Sequence, residues 1–268
     1  MFFNVLRHLL LIAVVVLPGC ATRVPLPAML SPDSGAAIAA WTRVLDQRVD
    51  EQGRVDFAGL ARDPADLHHY VGWVSQQGPD SAPGLFRTRQ QVLAHYLNAY
   101  NAMAMYSVLE AGVPGSLEEY GLIRFFWLRE MLIDREAQSL YAYEKRIREL
   151  KDARIHFTLN CLSASCPRLP RRPFRAETLD ADLDRETRQF FGEPRNLQVD
   201  AAREVVRLTE IMRFFTADFL AEAPTLIDYV NRHIDRKIPA GYKIEFIPYD
   251  WTVAVQPGGE QAGIVGER

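Results

Sequence analysis

The stretch RIHFTLNCLSASCPRLP, Arg154 to Pro170, decides how this chain is read. Ile155, Phe157 and Leu159 alternate with Arg154, His156, Thr158 and Asn160. A period of two predicts a strand with its apolar face on the core and Arg154, His156, Thr158 and Asn160 together on the other face. Cys161 closes the strand, and Ser163-Ala164-Ser165-Cys166-Pro167 predicts a turn that sends the chain back. A short strand among helical neighbours makes the fold class α+β rather than all-helical.

Three chemistries fit that spacing. Cys161 and Cys166 can form a disulfide that closes a short loop, worth about 2 kcal/mol by loop entropy. Alternatively one thiol, Cys166 before Cys161, is a nucleophile. His156 then lowers its pKa or serves as base, and the N–H groups of the turn form an oxyanion hole. In the third, both sulfurs and His156 ligate a metal. Cys-x4-Cys with one histidine lacks a fourth ligand, so no metal or cofactor is expected. Spacing alone does not choose between the first two.

Outward from this stretch the pattern is mostly helical. Arg89 to Ala111 is the longest helix, ended by Gly112 with Pro114 soon after. Gln91 to Leu109 has no acidic or basic residue beyond His95, which predicts burial around much of its circumference. Asn98, Asn101 and His95 would be costly in lipid, so it is not a transmembrane span. Asn98 and Asn101, three residues apart, share a face. They either bridge buried loops or orient a histidine beside a catalytic thiol. Further helices are expected over 36–49, from Asp63-Pro64 to Gln77, and over 140–151, 178–191, 209–220 and 223–234. Strands are expected within 125–138, turning near Asp134-Arg135, and over 204–208 and 243–255, with Pro248 marking an edge or bulge. Glu144, in mid-helix, either pairs with an arginine or reaches the site. Ser165 completes the site-lining set with Arg154, Thr158 and Asn160. Trp41, Trp73 and Trp127 are expected in the core. The fold expected is one helix-rich α+β domain with short strands forming a small sheet.

The N-terminus needs separate treatment. Arg7 and His8 precede nine apolar residues, Leu9 to Leu17, too few to span a bilayer. They fit a secretory leader over 1–19, and Leu17-Pro18-Gly19-Cys20 resembles a bacterial lipobox in which Cys20 is lipidated. Ala21 follows where an aspartate would resemble an inner-membrane retention signal. The expected address is therefore the cell envelope, lipid-anchored to the outer membrane and facing the periplasm. Residues 20–35, with Pro25, Pro27, Pro32 and Gly35, read as a flexible tether, 36–256 as the domain and 257–268 as a loose tail. Formal net charge is −3 with no long basic run, which argues against nucleic acid as a partner. Cleavage before Cys20 leaves one further pair of cysteines in an oxidising compartment, where pairing is the default.

Taken together, several motifs resemble the family catalogued as domain of unknown function 547. They are Gly53-Arg54-Val55-Asp56-Phe57 with Leu60, His95-Tyr96-Leu97-Asn98-Ala99-Tyr100-Asn101-Ala102, and Asp152-Ala153-Arg154-Ile155-His156-Phe157. Asn160-Cys161, Ser165-Cys166-Pro167 and Pro248-Tyr249-Asp250-Trp251 follow in family order. The resemblance implies that Asn98, Tyr100, Asn101, His156, Asn160, Cys161, Ser165 and Cys166 are motif positions, and it implies no particular chemistry. Members resembling the family in the plant cytosol imply a thiol role. Where the family pattern often has Ile-Glu-His, this chain has Tyr143-Glu144-Lys145, which counts against a catalytic histidine there. The function expected is a membrane-anchored envelope module, with a Cys161–Cys166 disulfide, that binds an envelope protein or a small ligand. The alternative is a cysteine–histidine hydrolase or acyl transferase using Cys166, His156 and Asn98 or Asn101 on an amide or acyl bond.

Overall fold

Thr88 and Gln91 begin the helix on which the others pack. The Thr88 hydroxyl accepts from the Gln91 N–H at 3.1 Å, and the Gln91 side chain accepts from the Thr88 N–H at 3.1 Å. This reciprocal cap satisfies two N–H groups that have no partner inside a helix. From Leu93 to Val108 every residue of this helix is buried, so it is a central rod rather than an amphipathic surface helix.

The computed structural model describes residues 21–257. The expected leader, Cys20 and residues 258–268 of the tail lie outside the described residues. In chain order, β1 (Thr22–Arg23) leads to α1 (Ser34–Arg48), α2 (Phe57–Arg62) and α3 (Ala65–Gln76). A 3₁₀ turn at Pro83–Leu85 precedes the central rod, α4 (Arg89–Glu110), and then α5 (Leu117–Tyr120). A wide helical turn, Arg124–Leu128, runs into β2 (Arg129–Ile133), β3 (Glu136–Ser139) and α6 (Leu140–Arg148). A second 3₁₀ turn, Ala153–Phe157, is followed by α7 (Leu179–Gly192), β4 (Leu197–Asp200) and β5 (Val205–Thr209). Finally come α8 (Ile211–Phe214), α9 (Thr216–Leu220), α10 (Leu226–His233) and β6 (Lys243–Ile247).

The expected α+β class holds, with two small sheets in place of one. In the first, β1 runs parallel to β2 and β2 antiparallel to β3. In the second, β5 pairs antiparallel with β4 and parallel with β6. Each sheet sits beside its own hydrophobic cluster. The larger cluster surrounds α4 with Trp41, Tyr70 and Trp73, and the smaller joins Phe157, Phe190, Phe219 and Tyr229.

The stretch Arg154 to Asn160 is not a strand. Asp152 accepts from the Arg154 N–H at 3.2 Å and caps the 3₁₀ turn instead. Its alternation has a different cause from a sheet's two faces: Ile155 belongs to the larger cluster and Phe157 to the smaller. The intervening polar residues are buried as well, with His156 at 4% and Thr158 at 0% exposure. The segment is a seam between two cores.

Other expectations are corrected for equally local reasons. The strand expected from Phe125 starts only at Arg129, because Arg124–Leu128 is helical. The helix expected from Thr209 to Leu220 is broken at Phe215 into α8 and α9. The strand expected to Val255 ends before Pro248, which has no N–H to continue it; beyond it only isolated bridges form. Strand β4 had no signal strong enough to expect it. Trp127 is 46% exposed rather than part of the core.

The stretch expected as a tether is docked from Thr22 onward. Val24 is buried and donates to Glu130 O at 2.9 Å, and the Tyr106 hydroxyl donates to Pro25 O at 2.8 Å. Gly72 permits this approach, since a Cβ there would lie 2.8 Å from Ala28 O. Gly72→Val is therefore expected to lift residues 24–28 from α3, at a cost of about 1–3 kcal/mol. Hydrogen exchange at Val24 checks it: the wild-type amide should be protected and the variant amide should not.

Candidate functional site

Helix α6 carries Tyr141, Glu144 and Arg148 on one face, three and four residues apart. That face forms one wall of a cleft of about 400 Å³. The α8–α9 junction supplies Phe214 and Phe215, the segment after β6 supplies Tyr249 and Trp251, and the turn before β2 supplies Phe126 and Trp127. Tyr100 from α4, His156 from the 3₁₀ turn, and Cys161 and Cys166 also line it. The cleft is thus mostly aromatic, with a few polar groups at fixed places, as ligand pockets generally are.

Asp218 on α9 organises the polar part. Its carboxylate accepts from Arg148 Nε at 2.7 Å, from Arg148 Nη2 at 3.2 Å and from His156 Nε2 at 2.8 Å. The hydrogen bond from His156 and then that from Arg148 hold the Asp218 carboxyl well below the usual carboxylate range. Burial pushes the His156 imidazole down, against the pull of Asp218. The pair at neutral pH is therefore an ionised carboxylate with a neutral ring whose Nε2 carries the hydrogen. The ring also stacks on Phe215, with centroids 4.0 Å apart, and the Arg148 guanidinium lies 4.9 Å from the same phenyl centroid.

Glu144 is driven the other way. Burial pushes its carboxyl up to about 7, while Arg148 and the Tyr100 hydroxyl, which donates at 3.4 Å, pull it down. Glu144 in the cleft lining and Asp218 behind Arg148 and His156 thus differ because Asp218 has two strong partners and Glu144 a weak one.

Cys161 and Cys166 are joined by a disulfide on the cleft wall. Their polar neighbours are the Cys161 N–H at 3.0 Å from Cys166 Sγ, Ser163 Oγ, and the Tyr249 hydroxyl at 3.1 Å from Cys166 Sγ. The loop they close is fastened to the last stretch of the described chain. Ala164 N–H donates to Thr252 O at 2.7 Å, Ser165 N–H to Asp250 O at 3.1 Å, and Asp250 N–H to the Ser165 hydroxyl at 2.8 Å. The position of Tyr249 and Trp251 in the cleft follows from this stitching.

Of the residues singled out in the sequence, Glu144, His156, Cys161 and Cys166 meet in the cleft. The asparagines bridge buried loops. Asn98 accepts from Trp41 Nε1 and Phe174 N–H and donates to Ala94 O and Phe174 O. Asn101 donates to Thr158 O at 3.0 Å and accepts from the Asn160 N–H at 2.8 Å. Asn160 in turn donates to Pro167 O. Thr158 bonds its own turn through Ile155 O. Arg154 is held by Asp152, Asp180 and Asp184 and is not part of the cleft lining.

Sequence reasoning missed Arg148, Asp218, Phe215, Tyr249 and Trp251. Arg148 was within reach as the residue four after Glu144 on one helix face. Tyr249 and Trp251 lay in a quoted motif. Asp218 has no local signal, being 62 residues from His156.

Residues 86–191 match the family described as "Protein of unknown function, DUF547". The α+β domain therefore carries, over that stretch, the family that its motifs resemble. The matched stretch includes Tyr100, Glu144, Arg148, His156 and both disulfide cysteines, whereas Asp218, Tyr249 and Trp251 come from beyond it. No curated protein and no solved structure matches the chain.

A carboxyl whose folded pKa is raised favours the folded chain only while it stays protonated. As pH rises from the ordinary carboxylate range, about 4, the unfolded chain ionises first, and stability falls until pH passes about 7. Wild type should therefore lose roughly 3 kcal/mol relative to Glu144→Gln between those limits. Urea midpoints measured across that range check it; parallel curves for the two proteins refute it.

Proposed function

We propose that this chain is a lipid-anchored envelope protein whose domain binds a small apolar ligand in the aromatic cleft. The observation that carries the reading is the exposed rim. Trp127 and Tyr141 stack with centroids 4.6 Å apart, yet they and Phe214 each remain more than 40% exposed at the cleft mouth. Large apolar groups left together at the entrance of a preformed cavity mark an interaction site. The disulfide supports binding over thiol catalysis. Each sulfur is bonded to the other and so is not a nucleophile. His156 gives its Nε2 hydrogen to Asp218. Closing so short a loop contributes about 2 kcal/mol by restricting the unfolded chain.

The anchor rests on Leu9 to Leu17 and the lipobox-like Leu17-Pro18-Gly19-Cys20. Among the described residues no helix is long and apolar enough to cross a membrane. Lipid on Cys20 would tether the domain without a span. In cells fed labelled palmitate, the wild-type chain should take up label and Cys20→Ala should not.

A neutral naphthylamine dye tests the cleft. Its fluorescence should rise on binding, and Trp251→Ala or Phe214→Ala should weaken binding roughly tenfold, the effect of losing one buried ring face. Equal affinities in wild type and both variants would show that the dye, and the proposed ligand, do not use this cleft.

A further inference from the structure

The end of the sheet at which the N-terminal segment enters is also the rim of the cleft. β1 runs parallel to β2, with Thr22 opposite Arg129 and Arg23 opposite Glu130. In a parallel pair, the residues before Thr22 leave the sheet at the same end as those before Arg129. Those before Arg129 are Leu128, Trp127 and Phe126. Cys20 lies two residues before Thr22, a span of at most about 7 Å, and paired strands are only about 5 Å apart. An anchor on Cys20 would therefore hold this end of the sheet close to the lipid.

The surface at that end is unusual for water. Ile123 is 68% exposed, Trp127 46% and Leu128 39%, and Tyr141 stacks on Trp127. Arg124 is exposed among them, its guanidinium 4.6 Å from the Tyr120 ring centroid. An aromatic and aliphatic patch with a basic residue at its margin has the composition of a membrane–water interface. Leu122, Phe126, Trp127 and Tyr141 also line the cleft, so patch and mouth are continuous.

We infer that Ile123, Trp127 and Leu128 form a membrane-contact surface, seated on the lipid interface by the anchor at Cys20, so that the cleft opens toward the bilayer. The occupant of the patch is the lipid surface, and the cleft's ligand arrives from it as a membrane-dissolved apolar molecule. This rests on the proposed anchor, because a short attachment at Cys20 is what presses this end of the sheet onto lipid.

The test supplies the anchor chemically. The chain beginning at Cys20 is coupled through that thiol to a maleimide phospholipid in vesicles of phosphatidylethanolamine and phosphatidylglycerol, some bearing brominated acyl chains. Cys161 and Cys166, being bonded to each other, do not compete. Bromine should quench tryptophan fluorescence, and the emission should shift to the blue on coupling. Both effects should vanish in Trp127→Phe, which keeps Trp41, Trp73 and Trp251. Ile123→Glu with Leu128→Glu, two changes on exposed side chains, should remove most of the quenching while leaving the urea midpoint unchanged.

Quenching that persists in Trp127→Phe, or Trp127 emission as open to aqueous iodide on vesicles as in solution, overturns the inference. The latter would leave the patch as a surface for protein. Because coupling is chemical, the result is independent of whether Cys20 is lipidated in cells, so labelling can fail while the contact surface stands, and the reverse.

Discussion

Asn98 and Asn101 sit on the fully buried stretch of α4, and the long loop from the 3₁₀ turn to Phe174 takes its place from them. A buried amide side chain must find partners within the protein. Asn98 finds its partners at Trp41 of α1 and at both backbone groups of Phe174. Asn101 finds Thr158 and Asn160. The long chain from the 3₁₀ turn to Phe174 has little regular structure of its own, so these bonds act as its ladder. Through Asn160 they reach Pro167, and hence both ends of the disulfide loop.

From that fixed loop the cleft is assembled in layers. The disulfide turn is stitched to Asp250 and Thr252 by backbone hydrogen bonds, which brings Trp251 against Phe126 and Tyr249 against Trp251, the latter centroids 4.3 Å apart. Opposite, α6 packs on α4 and carries Glu144 and Arg148. Asp218 closes the ring by bonding both Arg148 and His156. It therefore ties α6, the 3₁₀ turn and α9 together, and links the two hydrophobic clusters across the seam at Ile155 and Phe157. The polar groups hold the walls in position and leave the aromatic faces to make contact.

The contrast between Asp218 and Glu144 shows how position rather than residue type sets charge. Asp218 accepts three hydrogen bonds, one from His156 and two from Arg148, so it stays ionised. Glu144 has only the Tyr100 hydroxyl at long distance and sits among the aromatic side chains of the cleft, where loss of water pushes its carboxyl up to about 7. Its charge is available to change with pH or with what enters the cleft.

Much of this fold is legible in the order of residues alone. The rod from Arg89 to its end near Gly112, the burial of its uncharged middle and the turn at Asp134-Arg135 follow from local chemistry, whereas the separation of Cys161 and Cys166 permits a disulfide without choosing it over a thiol site. The family resemblance rests on the same motifs. Where local signals mislead, two long-range environments are superimposed on one segment. Alternation at Arg154 to Asn160 looks like a strand because neighbouring residues face different cores. Proline-rich residues after Cys20 look like a tether because composition does not report that Gly72 leaves room for them. Sequence by itself determined the long central helix, most of the other helical segments and the short list of chemistries open to the two cysteines, since these depend on neighbours along the chain. Only the tertiary structure decided that Asp218 meets His156, that Trp127 stands at a rim, and that strand β1 brings the N-terminus beside it. Those relations join residues with no shared period, cap or turn, and only the closed packing of the two cores creates them.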